Sequence, residues 1–128
     1  MIFLCLRFES LEVISKLLTV NRHLNCSLIF ITQALFHNSS SYRIASSNTK
    51  YFICFVSRRT SQSVKRLLEQ CFSKDHVVQI MEVFRRLARE KFNYLIIDFG
   101  SQICDSLRIR SHLFHGPYPR VYLLSDRS

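Results

Sequence analysis

Four groups of residues in this chain have types and spacing that bear on chemistry. The first is the polar pair Thr32-Gln33, which closes the apolar run Cys26-Ser27-Leu28-Ile29-Phe30-Ile31. Ligands of open α/β sheets bind just beyond the carboxyl ends of the strands, so a polar side chain at that point is placed to touch one. The competing reading is that Thr32-Gln33 simply starts a loop. The second is Asp98, at the end of Tyr94-Leu95-Ile96-Ile97. An apolar strand ending in a carboxylate is how a nucleotidase holds its metal. Such an enzyme usually carries a second acid next to the first to polarise water, and Phe99 stands there instead. An Asp at a strand end also commonly begins a turn. The third is the basic set Arg58, Arg59, Lys65 and Arg66. These suit sequence-independent contacts to phosphates, and suit equally a solvated helix face. The fourth is the scattered histidines, His23, His37, His76, His112 and His115, one of which could act as a base, with no nucleophile marked beside any of them.

Several chemistries are excluded by what the sequence lacks. A phosphate loop, GxxxxGK[ST], needs glycines so that backbone N–H groups can approach the phosphates, and a Lys to neutralise them. The two glycines here are Gly100 and Gly116, and neither precedes a Lys. These residues therefore cannot form that loop. There is no GxSxG elbow for a serine hydrolase. The five cysteines (Cys5, Cys26, Cys54, Cys71, Cys104) have no CxxC or Cys/His ligand spacing, so no metal is expected. Three of them lie inside apolar runs, where free Cys behaves as a small core residue, and this suits a reducing compartment.

The bulk numbers describe one packed domain. Apolar residues make up 48% of 128, with two Gly and two Pro. Lys and Arg total 18 against 9 Asp and Glu, a net charge of +9, which favours polyanionic partners, nucleic acid first. The opening Met1–Leu6 is apolar but too short for a signal peptide or a membrane span, so an intracellular protein without membrane contact is expected.

The elements that would position these residues follow from periodicity. Met1–Leu6, Cys26–Ile31, Tyr51–Val56 and Tyr94–Phe99 read as strands, and their continuous apolarity predicts cover on both faces. Ser10 opens a helix with Leu11, Ile14, Leu17 and Leu18 on one face. Residues 34–50 carry turn composition and predict a loop. Thr60 or Ser61 caps a helix with the stripe Val64, Leu67, Leu68, Cys71 and Phe72. Ser73 or Asp75 starts another, with Val77, Ile80, Met81, Phe84 and Leu87 inside and Arg85, Arg86 and Arg89 outside. Ser106–Ser111 alternates and suggests an edge strand, and Arg120–Leu124 one more short strand. Strands interleaved with helical patterns predict an α/β fold with a mainly parallel sheet and flanking helices.

The order of these pieces resembles a known family. Arg22-His23-Leu24-Asn25-Cys26-Ser27-Leu28-Ile29-Phe30-Ile31-Thr32-Gln33-Ala34-Leu35-Phe36 is similar to the RHxNxSxIFxTQxLF segment of FtsK/HerA-type genome-packaging ATPases. These occur in poxviruses, other large DNA viruses and Polinton (Maverick) elements. Arg43-Ile44-Ala45-Ser46-Ser47-Asn48-Thr49-Lys50-Tyr51 resembles R-x-I-x-x-N-x-x-Y, and Ser57-Arg58-Arg59-Thr60-Ser61-Gln62 resembles NPRDxxQ. Tyr94-Leu95-Ile96-Ile97-Asp98, with Leu107 to Gly116, resembles the closing GYLLxD…LRLRTxxFPG. The likeness covers residues 11–116.

That resemblance implies a partial P-loop NTPase of the RecA/FtsK kind, its C-terminal half, lacking the phosphate-loop part and the acidic pair that holds Mg²⁺. It makes Gln33 the sensor of the ATP γ-phosphate. It makes Arg22 and Arg43 candidates for an arginine reaching a neighbouring subunit's nucleotide. It implies ATP and Mg²⁺ as cofactors of the intact family and none for this chain alone. Double-stranded DNA would be the partner, with a ring homo-oligomer or a complementing ATPase half beside it. The site would be the host nucleus or cytoplasm, or the virion. Two other readings stand beside it. One is a small, basic, non-catalytic protein that binds nucleic acid or a viral partner. The other is an inactive remnant whose exposed apolar strands would make it poorly soluble.

Overall fold

The computed structural model describes residues 2–3, 16, 20, 28–29, 31–32, 35–36, 40–91, 93–100, 102–114 and 116–126. The chain forms two compact units, Met1–Thr49 and Lys50–Ser128.

In the first unit, β1 (Ile2–Phe3) pairs in parallel with β2 (Leu28–Ile29). The strand expected at Cys26–Ile31 is thus present in its centre. It is not covered on both faces: Ile29 is 43% exposed and Ile31 69%. Lys16 and Val20 are helical and exposed, while the apolar stripe expected on their helix lies outside the described residues. The loop expected over 34–50 contains a helix, α1 (Ser40–Ser47). No Gly or Pro interrupts it, and Ser47 and Asn48 turn their polar side chains onto the carbonyls of Arg43 and Ile44 four residues back. Turn-forming residue types here bond to the helix's own last carbonyls instead of opening a loop.

The second unit is built on β3 (Tyr51–Phe55), α2 (Ser61–Cys71), α3 (Lys74–Leu87), β4 (Tyr94–Asp98), β5 (Ile109–Ser111) and β6 (Arg120–Tyr122), with a 3₁₀ turn at Asp105–Leu107. The four strands make one sheet in the order β3-β4-β5-β6, and every pair in it is antiparallel. This overturns the mainly parallel P-loop sheet expected from the sequence. The reason is a matter of parity. A single crossover helix returns the chain to the start of the next strand and makes a parallel pair. Between β3 and β4 there are two helices joined only by Phe72-Ser73. They run out and back, so the chain re-enters the sheet where it left, and Phe55 comes to lie opposite Tyr94.

The two helices bury the stripes their spacing predicts. Val64, Leu67 and Leu68 on α2, and Val77, Ile80, Met81, Phe84 and Leu87 on α3, are all at most 5% exposed. Cys71 is exposed and Phe72 half-buried, so the α2 stripe ends one turn early. Ser73 caps α3 by accepting the His76 N–H at 3.3 Å. Thr60 precedes α2 without capping it. Its hydroxyl instead lies within hydrogen-bond reach of both Ser57 O and Phe55 O, tightening the turn after β3.

The core sits between the helix pair and one face of the sheet. All five residues of β4 are buried. Leu95 and Ile97 share a face with Phe52 and Cys54 on β3 and with Ile109 on β5. Phe52, Phe99 and Phe72 stack edge to tilt at 5.5 and 6.1 Å, tying that face to the end of α2. β3 was expected to be covered on both faces, yet Tyr51, Ile53 and Phe55 are 51%, 52% and 72% exposed, because β3 is an edge strand with helices on one side. β5, expected at an edge, lies between β4 and β6.

Candidate nucleic-acid interface

The helix hairpin decides where the basic residues go. Val56 donates its N–H to Asn93 O at 3.0 Å, which holds the end of β3 against the start of β4. The turn Ser57–Thr60, the start of α2 and the end of α3 are therefore at one end of the second unit. Arg58 and Arg59 in that turn are exposed, and so are Lys65 and Arg66 on α2. The structure adds Arg85, Arg86, Arg89 and Lys91 at the same end, all exposed. Arg85 and Arg86 occupy the last turn of α3, where cations complement the helix dipole.

Two acids moderate this end. Glu82 binds Arg86 at 2.6 Å, one turn along α3. Glu90 receives Asn93 Nδ2 at 2.8 Å, His112 Nε2 at 3.3 Å and Arg120 Nη1 at 4.0 Å. Its carboxyl is held below the ordinary Glu range, first by the Asn93 hydrogen bond and then by the hydrogen bond and charge of His112 and by Arg120. On α2, Lys65 sits 3.7 Å from Glu69 and spends part of its charge there. Pairs this exposed contribute little individually, so the arginines remain available to a stronger anion. Arginine also grips phosphate with two parallel hydrogen bonds, which lysine cannot do.

Of the residues singled out from the sequence, Arg58, Arg59, Lys65 and Arg66 come together in the second unit. Arg43 is exposed on α1 of the first unit. Gln33 and Arg22 lie outside the described residues. Arg85, Arg86 and Arg89 carry no interface signal in the sequence, since they read there as the outer face of a helix, and Lys91 carries none either. Only the return of α3 toward the start of α2 puts them at the same end of the unit as Arg58 and Arg59.

Asp98 is a structural carboxylate. It is 1% exposed, Oδ1 accepts the Gly100 N–H at 2.8 Å, and Oδ2 faces Arg110 Nη2 at 3.4 Å. That is the turn-starting role. A catalytic arrangement does appear nearby in outline. Ser111 Oγ lies 2.7 Å from His112 Nδ1, and His112 Nε2 lies 3.3 Å from Glu90. Ser111 is 0% exposed and also bonds Tyr122 at 2.8 Å, so no substrate can reach its oxygen. His112 has φ of 58°, a conformation His tolerates better than most residues. The chain of contacts pins the segment after β5 to the end of α3.

No group of three or more His, Cys, Asp or Glu that could hold a metal occurs among the described residues. Their free thiols differ in character. Burial pushes Cys54 up to about 11, and milder burial raises Cys71, whereas hydrogen bonds from the Ser106 side chain and backbone lower Cys104. No helix among the described residues is long and apolar enough to cross a membrane.

No curated protein and no solved structure matches the chain at a significant level. A protein-family model, that of the poxvirus A32 protein, matches residues 7–111. It spans most of both units, including the TQ segment, the Arg58-Arg59 turn and the β4–β5 pair. The chain belongs to the poxvirus A32 protein family, a family of packaging ATPases.

Proposed function

We propose that this chain serves a viral DNA-packaging motor as an element that grips the DNA backbone, and that these residues by themselves do not turn over ATP. Family membership supports the packaging role. The observation that carries the DNA-gripping role is the gathering of Arg58, Arg59, Arg66, Arg85, Arg86, Arg89 and Lys91 at one end of the second unit. Side chains of one sign on one surface release counterions from a duplex without reading its sequence. The partner is double-stranded DNA, met either as a ring of identical chains or together with a complementing ATPase half. By motif order, these residues correspond to the C-terminal half of the FtsK/HerA-type motors. Gln33 is then the sensor of the γ-phosphate, Arg22 and Arg43 are the trans-acting arginines, and ATP and Mg²⁺ are bound where a phosphate loop from outside these residues completes the site. The compartment is the host interior or the virion.

Two measurements test this. Purified chain mixed with Mg-ATP is expected to show no turnover, and turnover that disappears in Gln33→Ala would overturn the non-hydrolysing reading. Duplex DNA binding is expected to weaken steeply with salt. In the absence of a complementing half it should be indifferent to ATP. That second result, persisting when such a half is added, would favour the other reading, a basic non-catalytic binding protein.

A further inference from the structure

The face of the four-stranded sheet turned away from α2 and α3 has its own chemistry. Strand register puts Tyr51, Ile53 and Phe55 of β3 on that face, opposite Asp98, Ile96 and Tyr94 of β4. Arg110 of β5 and Val121 of β6 continue the row from Ile96. Tyr51 and Phe55 expose 51% and 72% of their surface. Phe114, 76% exposed, packs its ring 6.2 Å from that of Tyr94. Cations lie on and beside this face. Lys50 Nζ lies 5.3 Å from the centre of the Tyr51 ring, Arg110 is on the face itself, and Arg58 and Arg59 follow the end of β3. The one carboxylate among the described residues of this face, Asp98, is buried and already faces Arg110.

We propose that this face binds single-stranded nucleic acid, with bases stacked on Tyr51 and Phe55 and the backbone held by Lys50, Arg58 and Arg59. Exposed aromatic rings beside cations match a polyanion that offers flat π faces. An aliphatic protein surface would make no use of the charges. A duplex keeps its bases stacked on one another and cannot use the rings. Tyr51 and Phe55 stand four residues apart on one face of a strand, about 13 Å, so separate bases would occupy them. Stacking of this kind is sequence-tolerant and is worth about 1–3 kcal/mol per base. The inference goes beyond the duplex-gripping role, because it concerns the outer face of the sheet, which shares only Arg58 and Arg59 with the duplex-gripping end, and another form of nucleic acid.

The test is fluorescence anisotropy of a labelled oligothymidylate, and of a labelled duplex of equal length, titrated with the whole chain. Three proteins are compared: the natural sequence, Tyr51→Leu with Phe55→Leu, and Arg85→Ala with Arg89→Ala. The leucine pair keeps apolar area on an exposed edge and removes only the rings. It is expected to weaken oligothymidylate binding about 10- to 100-fold and to leave duplex binding unchanged. The alanine pair is expected to weaken duplex binding, which keeps failure of the duplex reading separate from failure of this one. The proposal is overturned if the natural sequence does not bind oligothymidylate, or if the leucine pair binds it equally well; in the latter case the face would be an apolar docking surface. Should the leucine pair misfold, tyrosine emission of the natural protein decides: quenching by oligothymidylate supports stacking, and unchanged emission overturns it.

Discussion

Asp98 accepts the Gly100 N–H with one oxygen and faces Arg110 with the other, so one carboxylate closes a turn and neutralises a partly covered cation. Asp98→Ala is expected to destabilise the second unit by about 3 kcal/mol, because it leaves Arg110 without its counter-charge; urea unfolding measures it. Gly100→Ala should also lower the unfolding midpoint, since an added Cβ would sit 2.9 Å from Asp98 Oδ1 and 3.1 Å from Lys50 Cε. The thiols give a second check at this scale. Cys104 should be alkylated readily near neutral pH, while Cys54, buried and raised to about 11, should resist until the unit unfolds. Glu90 supplies a pH dependence. Its carboxyl is lowered in the folded state, so its contribution is present above the ordinary Glu value and is lost as the pH falls through the lowered one. Glu90→Gln should therefore reduce stability near neutrality and make no difference in strong acid, as thermal unfolding across pH would show.

Among the elements, exposure separates two phenylalanines that composition treats alike. Phe84 on α3 is 2% exposed, and Phe84→Ala is expected to cost about 3–5 kcal/mol. Phe55 on β3 is 72% exposed, and Phe55→Ala should change stability by about 0.5 kcal/mol or less. Comparing their denaturation midpoints tests the assignment of the two faces of the sheet. Both helices were legible from their 3.6-residue stripes, because only one side of each can meet the sheet. The strands were legible as strands but not in their cover. A run such as Tyr51–Val56 reads as buried on both faces, since periodicity cannot show that a strand stands at an edge. The helix α1 was missed because its serines and asparagine have the composition of a turn. Whether such side chains bond forward into a turn or back onto a helix depends on the conformation already adopted.

On the scale of the whole molecule, the basic residues act together or not at all. Replacing Arg58 and Arg59 by alanine should weaken duplex DNA binding at every sequence and flatten the dependence of log affinity on log salt by about 2. Titrations at several salt concentrations would check this. Composition alone settled that the chain is strongly basic, and motif order pointed to the kinship with packaging ATPases that the family match shows. The missing phosphate loop was equally plain, because that loop requires glycines at set positions. Strand direction was not accessible in this way. Both helices between β3 and β4 could be read, yet a parallel sheet was expected, because the alternation of strands and helices outweighed the count of helices. Whether two helices form a hairpin or a longer path is decided by packing Val64, Leu67 and Leu68 together with Ile80, Phe84 and Leu87 against one face of the sheet. That packing reverses the next strand. It also brings Arg85 and Arg89 back to the end of the unit that carries Arg58 and Arg59, across nearly thirty positions of sequence, a placement that no local pattern contains.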